Sequence, residues 1–107
     1  MNETRTLVDY CHAIGQKPLP QDVAAYARLL LTDYLGVAAA SAILEEPSRI
    51  ARDLASQMGG TPESSAFGLD QRLPAALAAF VNGATEHGIE MDDTHPGGSS
   101  HPGVVVG

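Results

Sequence analysis

The pattern that most restricts the fold is the apolar spacing in residues 20 to 40, PQDVAAYARLLLTDYLGVAAA. Val23, Ala27, Leu30, Leu31, Tyr34 and Ala38 recur at three- and four-residue steps, which places them on one face of a helix. Pro20 suits the first helical position, and Asp22 lies in the first turn, where the helix dipole favours negative charge. Gly36 falls inside the pattern at a cost of about 1 kcal/mol against Ala, and close approach of another helix explains it. The scheme recurs in residues 47 to 58, opened by Pro47, striped by Ile50, Leu54 and Met58 and ended by Gly59 and Gly60. It recurs again in residues 74 to 88, with Leu77, Phe80, Val81, Ala84 and Gly88 on one face and a kink expected near Asn82-Gly83. Between them, Ser64 to Leu69 predicts at most one short strand. No repeat or low-complexity tract interrupts this order, so the fold class is mainly α.

A chain of 107 residues makes one domain at most. Aromatic residues are only 5% of it while alanine is abundant, so its core has to form by close helix packing through small side chains. The net charge of −7 disfavours nucleic acid and anionic membrane surfaces as partners. Cys11 is the single cysteine, which excludes an intrachain disulfide and fits a reducing compartment. There is no secretory signal pattern, and no apolar run approaches the roughly 20 residues of a membrane span. A cytoplasmic, membrane-free protein is the expectation.

Chemistry concentrates in residues 90 to 103, EMDDTHPGGSSHPG. Asp92 and Asp93 are adjacent, so they cannot share one face of a regular element. Pro102 suits the first position of a helix, which makes His101 its N-cap. The amides of Gly103 and Val104 are then expected to face a bound anion. A histidine beside a bound carboxylate is a general acid or base near neutral pH. Two other readings compete. His87, Glu90, Asp92, Asp93, His95 and His101 are enough ligands for Zn²⁺ or Mg²⁺, but their spacing matches no metal pattern. The same residues also serve as turn formers, caps and solvated surface groups.

Taken in order, Leu30 to Val37 (LLTDYLGV), Asn82-Gly83, His87, Glu90 to His95 (EMDDTH) and His101-Pro102-Gly103 resemble the MmgE/PrpD family. That family includes 2-methylcitrate dehydratases, cis-aconitate decarboxylases and iminodisuccinate epimerases. The resemblance runs from about Pro20 to Gly107. It implies the opening part of the family's all-helical domain, with the smaller α+β lid domain in later sequence, and a homodimer for the full-length protein. It implies a lyase acting on small di- or tricarboxylates by acid–base elimination beside a carboxylate, with no metal or organic cofactor. Glu90, Thr94 and His101 match positions that line the family's pocket, and are the expected catalytic residues. Asp93, His95 and Gly103 are expected to contact substrate. Glu90 replaces the family's usual Asp and Met91 its usual Phe, so reach into the pocket differs. No Lys or Arg lies in the stretch, so the chain alone is expected not to turn over. An inactive helical interaction module, or a related decarboxylase or epimerase, is the alternative.

Overall fold

The computed structural model describes residues 2–106. Five helices follow one another: α1 (Glu3–Gly15), α2 (Gln21–Leu44), α3 (Glu46–Met58), α4 (Ala75–His87) and α5 (Pro102–Val106). α4 is the central element and packs against α2, α3 and α5, whereas α1 packs against none of the others. The mainly α expectation holds. The α1 helix was not foreseen. Its start is capped by the Asn2 side chain, which accepts from the Arg5 amide at 3.1 Å, but it buries no residue.

The predicted short strand is not present. Ser64 pairs with Leu73 in a single isolated bridge, and the segment between them turns. Asn82 supplies the order that a strand partner would have given. Its Oδ1 accepts from the Phe67 amide at 3.0 Å and its Nδ2 donates to the Ser65 carbonyl at 3.3 Å. α4 runs through Asn82 and Gly83 without a break, correcting the expected kink. At Gly83 a Cβ would meet Val104 of α5 at 3.5 Å, an ordinary contact distance, so α5 lies directly over this glycine.

The core is built mostly from alanines, Ala51 and Ala55 on α3, Ala66 in the connector and Ala78 on α4, joined by Leu73 of the connector and Val81 of α4. At one end of α4, Ser41 of α2 and Ser48 of α3 are fully buried and hydrogen-bonded to each other at 2.9 Å. Gly88 lies against them. A Cβ there would sit 2.8 Å from the Ser41 hydroxyl, so the residue is small for reasons of space, its φ being an ordinary −58°.

The large apolar residues are turned outward. The α3 stripe expected to face the core, Ile50, Leu54 and Met58, is 53%, 47% and 63% exposed, while Ser48, Ala51 and Ala55 face inward. On α2 only Tyr34, Ala38 and Ser41 are buried, and Val23 and Leu31 of the expected face are exposed. On α4 Phe80 is likewise exposed, and Thr85 and Glu86 take inward positions. The reason is proximity: helices meeting through Ala and Ser come closer than Leu or Met would allow.

At 24 residues α2 is long and apolar enough to cross a membrane by length and composition, contrary to the expectation that no such run exists. One face of it packs on α3 and α4, and Arg28 and Asp33 lie within its length.

Two outcomes follow from this packing. Asn82→Ala removes both tethers of the 64–73 connector and is expected to cost about 1–2 kcal/mol in urea denaturation. An unchanged midpoint would show that the connector holds without it. The outward apolar faces of α2 and α3 are expected to make the chain self-associate with rising concentration in sedimentation and to bind a hydrophobic dye. A dye-silent monomer at all concentrations would contradict that.

Candidate active site

The site forms where the C-terminal end of α4 meets the start of α5. α4 delivers Glu86 and His87 in its last turn, and the chain then reverses through Glu90, whose φ is +56°. That left-handed backbone is uncommon for a residue with a Cβ, and it directs the next residues back under α4. Asp92 is thereby driven inside, its side chain 0% exposed.

A buried carboxylate needs partners. Those of Asp92 are two imidazoles. The His87 Nδ1 lies 3.2 Å from Oδ1 and 3.1 Å from Oδ2, and the His101 Nδ1 lies 2.8 Å from Oδ2. The His101 contact is short, but the oxygen lies off the direction of the ring N–H, so this nitrogen is buried without a well-aligned hydrogen bond. The two rings meet edge to face, with centroids 4.7 Å apart at 71°. Among the described residues, no Lys or Arg forms an ion pair with Glu86, Glu90, Asp92 or Asp93.

His101 does precede the first residue of α5, as the sequence predicts. The amide beside it is not open to an external anion, however. The Gly103 N–H donates to Asp93 Oδ1 at 2.8 Å, so the chain's own carboxylate takes that place. A Cβ at position 103 would collide with the Asp93 carboxylate and lie 3.3 Å from Glu86 Oε1, so the glycine lets that carboxylate sit against the backbone. His95 is occupied in its own turn: its Nδ1 accepts from the Gly98 amide at 2.9 Å and its backbone pairs with Ser100. Glu90 is exposed and approaches His87 Nε2 at 3.6 Å, and Thr94 is exposed. Of the six residues expected at the site, the fold thus pairs Asp93 with Gly103, sets Glu90 beside His87, and seats His101 on Asp92, which was not among the six.

Glu86 is the residue that sequence reasoning missed. It is 1% exposed and its Oε2 has no hydrogen-bond partner. Burial, followed by the charges of Asp92 and Asp93, pushes its carboxyl up to about 7, against partial relief from His87 and His101. Periodicity gave no signal for it: Ala78, Val81 and Thr85 repeat at helical steps on the inward face, whereas Glu86 directly follows Thr85, about 100° further around the helix. The hydrogen bond to Asp92 raises His87 despite the opposing effect of burial. For Asp92, burial is the largest influence and acts upward. The His87 hydrogen bond, its own backbone amide and the charges of His87 and His101 together outweigh it and hold the carboxyl low.

His87, Asp92 and His101 each offer one ligand atom, all within 4.8 Å of one another, a composition that suits a divalent cation. Two ligands of a tetrahedral zinc stand about 3.3 Å apart, given bonds of about 2.0–2.1 Å. His87 Nδ1 is instead hydrogen-bonded to Asp92 Oδ2 at 3.1 Å, and His101 Nδ1, at 2.8 Å from the same oxygen, stands closer than that ligand spacing.

A helical domain holding a carboxylate–imidazole cluster in a loop between two helices defines the class. The family model for the MmgE/PrpD N-terminal domain matches residues 5–107, and the chain belongs to the MmgE/PrpD family. Its members are generally lyases of dehydratase type. Comparison with curated proteins and with solved structures gives no significant match.

The protonation pattern has a consequence for stability. Glu86 and His87 hold protons more tightly in the folded state than their ordinary values of 4.5 and 6.5, so folding strength is full at low pH and falls as pH rises through their folded values. Asp92 acts oppositely, losing its contribution as pH falls below its ordinary 3.8. Stability in urea is therefore expected to peak at roughly pH 5. Glu86→Gln cannot ionise and is expected to lose less between pH 5 and 8, the gap reaching on the order of 2–3 kcal/mol. Parallel pH profiles for the two proteins would show Glu86 to be an ordinary carboxylate.

Proposed function

We propose that this chain is the N-terminal helical part of a lyase that eliminates water beside a carboxylate of a small di- or tricarboxylate, as in 2-methylcitrate dehydratases. The observation that carries the reading is the seating of His101 against the buried Asp92, in the loop whose residues resemble the family's pocket motif. A side chain of this kind removes or returns a proton at a carbon next to a carboxylate, and catalysis needs that acid–base group together with stabilisation of the developing negative charge. His101 is the proposed acid–base group, with its side chain 37% exposed and so open to a ligand. Glu90 and Thr94, exposed on the same loop, are proposed to meet substrate beside it, with Asp93, His95 and Gly103 shaping the loop.

The cluster is acidic and unpaired with Lys or Arg, so it supplies the proton-moving side of the chemistry and lacks the cationic clamp that a polycarboxylate requires. That clamp is proposed to come from further sequence of the full-length protein, acting as a homodimer in the cytoplasm. No metal or organic cofactor is proposed.

The test is turnover of 2-methylcitrate and of cis-aconitate by the protein of the full reading frame, beside the 107 residues alone. The short chain is expected to be inactive. The full protein is expected to turn over one of the two, with His101→Ala lowering kcat on the order of 10²–10⁴-fold. Unchanged kcat in that variant would remove His101 from the chemistry.

A further inference from the structure

We propose that Asp92 and His87 are positioning residues for His101: the Asp92 carboxylate takes the Nδ1–H of His101, which leaves Nε2 as the atom that exchanges protons with substrate, and His87 clamps the same carboxylate from its other side. This rests on the lyase reading, in which His101 moves the proton.

Distance and burial together argue for where the protons sit. A bare ring nitrogen and a carboxylate oxygen both present lone pairs, so a 2.8 Å approach, even an oblique one, favours a proton on Nδ1 over a lone pair there. The same holds for His87 Nδ1 at 3.1 Å. His101 Nδ1 is sealed from water, so Asp92 is the acceptor within its reach. Neutral His101 is therefore held with its proton on Nδ1, and its free lone pair is on Nε2. The oblique approach of the oxygen fits a site awaiting its ligand, since catalytic hydrogen bonds are often poorly aligned before substrate binds.

His87 completes the arrangement. It contacts both oxygens of Asp92, which stops the carboxylate from rotating away from His101. Its ring also stands edge-on to the His101 ring, which restricts the tilt of that ring. The Nε2 of His87 lies 3.6 Å from the exposed Glu90 carboxylate, beyond hydrogen-bond length, so the hold on this ring comes from Asp92. The residues come from separate elements, α4, the turn after it and the start of α5, and no one of them could fix the imidazole alone.

The experiment is long-range ¹H–¹⁵N correlation on the labelled 107-residue chain, at a pH where His101 is neutral. Free histidine favours the Nε2–H form. In this protein His101 is expected in the Nδ1–H form. An Nε2–H signal for His101 in the unsubstituted chain overturns the proposal, and that measurement needs no variant to fold. Asp92→Asn is expected to return His101 towards the Nε2–H form, and an unchanged tautomer there removes Asp92 from the role. His87→Phe keeps a ring against His101 but not the clamp, and is expected to mix the two forms; an unmixed Nδ1–H signal overturns the part assigned to His87. In the full-length turnover assay, Asp92→Asn is expected to lower kcat on the order of a hundredfold or more while KM stays within about twofold. An equal loss in both would mark a folding defect and overturn positioning. Tautomers are read without substrate, so their failure leaves the turnover test of the lyase reading standing, and the reverse.

Discussion

A carboxylate whose side chain has no exposed surface sits in the loop between α4 and α5, and the arrangement of the last third of the chain follows from the need to satisfy it. Burying an unpaired charge costs several kcal/mol. Asp92 avoids that cost by gathering His87 from the end of α4 and His101 from the start of α5. Holding both imidazoles closes residues 88 to 100 into a loop. Asp93, its neighbour, points the other way and binds the Gly103 amide, which ties down the first turn of α5. Two adjacent acids that cannot share a face thus do two jobs: one is buried among imidazoles, the other anchors a backbone.

That loop depends in turn on how closely the helices approach. Ser41, Ser48 and Gly88 meet at a point where nothing larger fits, and Ala51, Ala55 and Ala78 continue the contact along α3 and α4. The close approach brings α2 near enough for Tyr34 to feel Glu86, whose charge adds to burial in raising the phenol. The same economy of size leaves Leu35, Ile43, Ile50 and Phe80 on the outside. Small side chains bury little area each, so the core is dense but modest.

Helices α2, α3 and α4 were legible because apolar periodicity, prolines at their starts and glycines after α3 all agreed, and the structure moves their ends by only a few residues. Which face would be buried was not legible for α3. Periodicity weights Ile50, Leu54 and Met58 by hydrophobicity, whereas the contact was decided by how small Ser48, Ala51 and Ala55 are. The strand at Ser64–Leu69 failed for a related reason: a short β-like run became a loop because the Asn82 side chain met its backbone groups. At the site, His101 at a helix start was readable from Pro102, since proline favours that position. The burial of Asp92 and Glu86 was not, because no local pattern separates a buried acid from a solvated one.

By itself the sequence determined the helical class, the order of the main helices, the family, and the loop that carries the acids and histidines. All of these are written in local spacing, where side chains three or four apart act on one another. Only the tertiary structure decided which acid is inside, that Gly103 faces Asp93 rather than an outside anion, and that His87 and His101 share one carboxylate. Those facts depend on residues in different elements, up to ten positions apart, meeting in space, and on a backbone reversal at Glu90 that no helical period encodes.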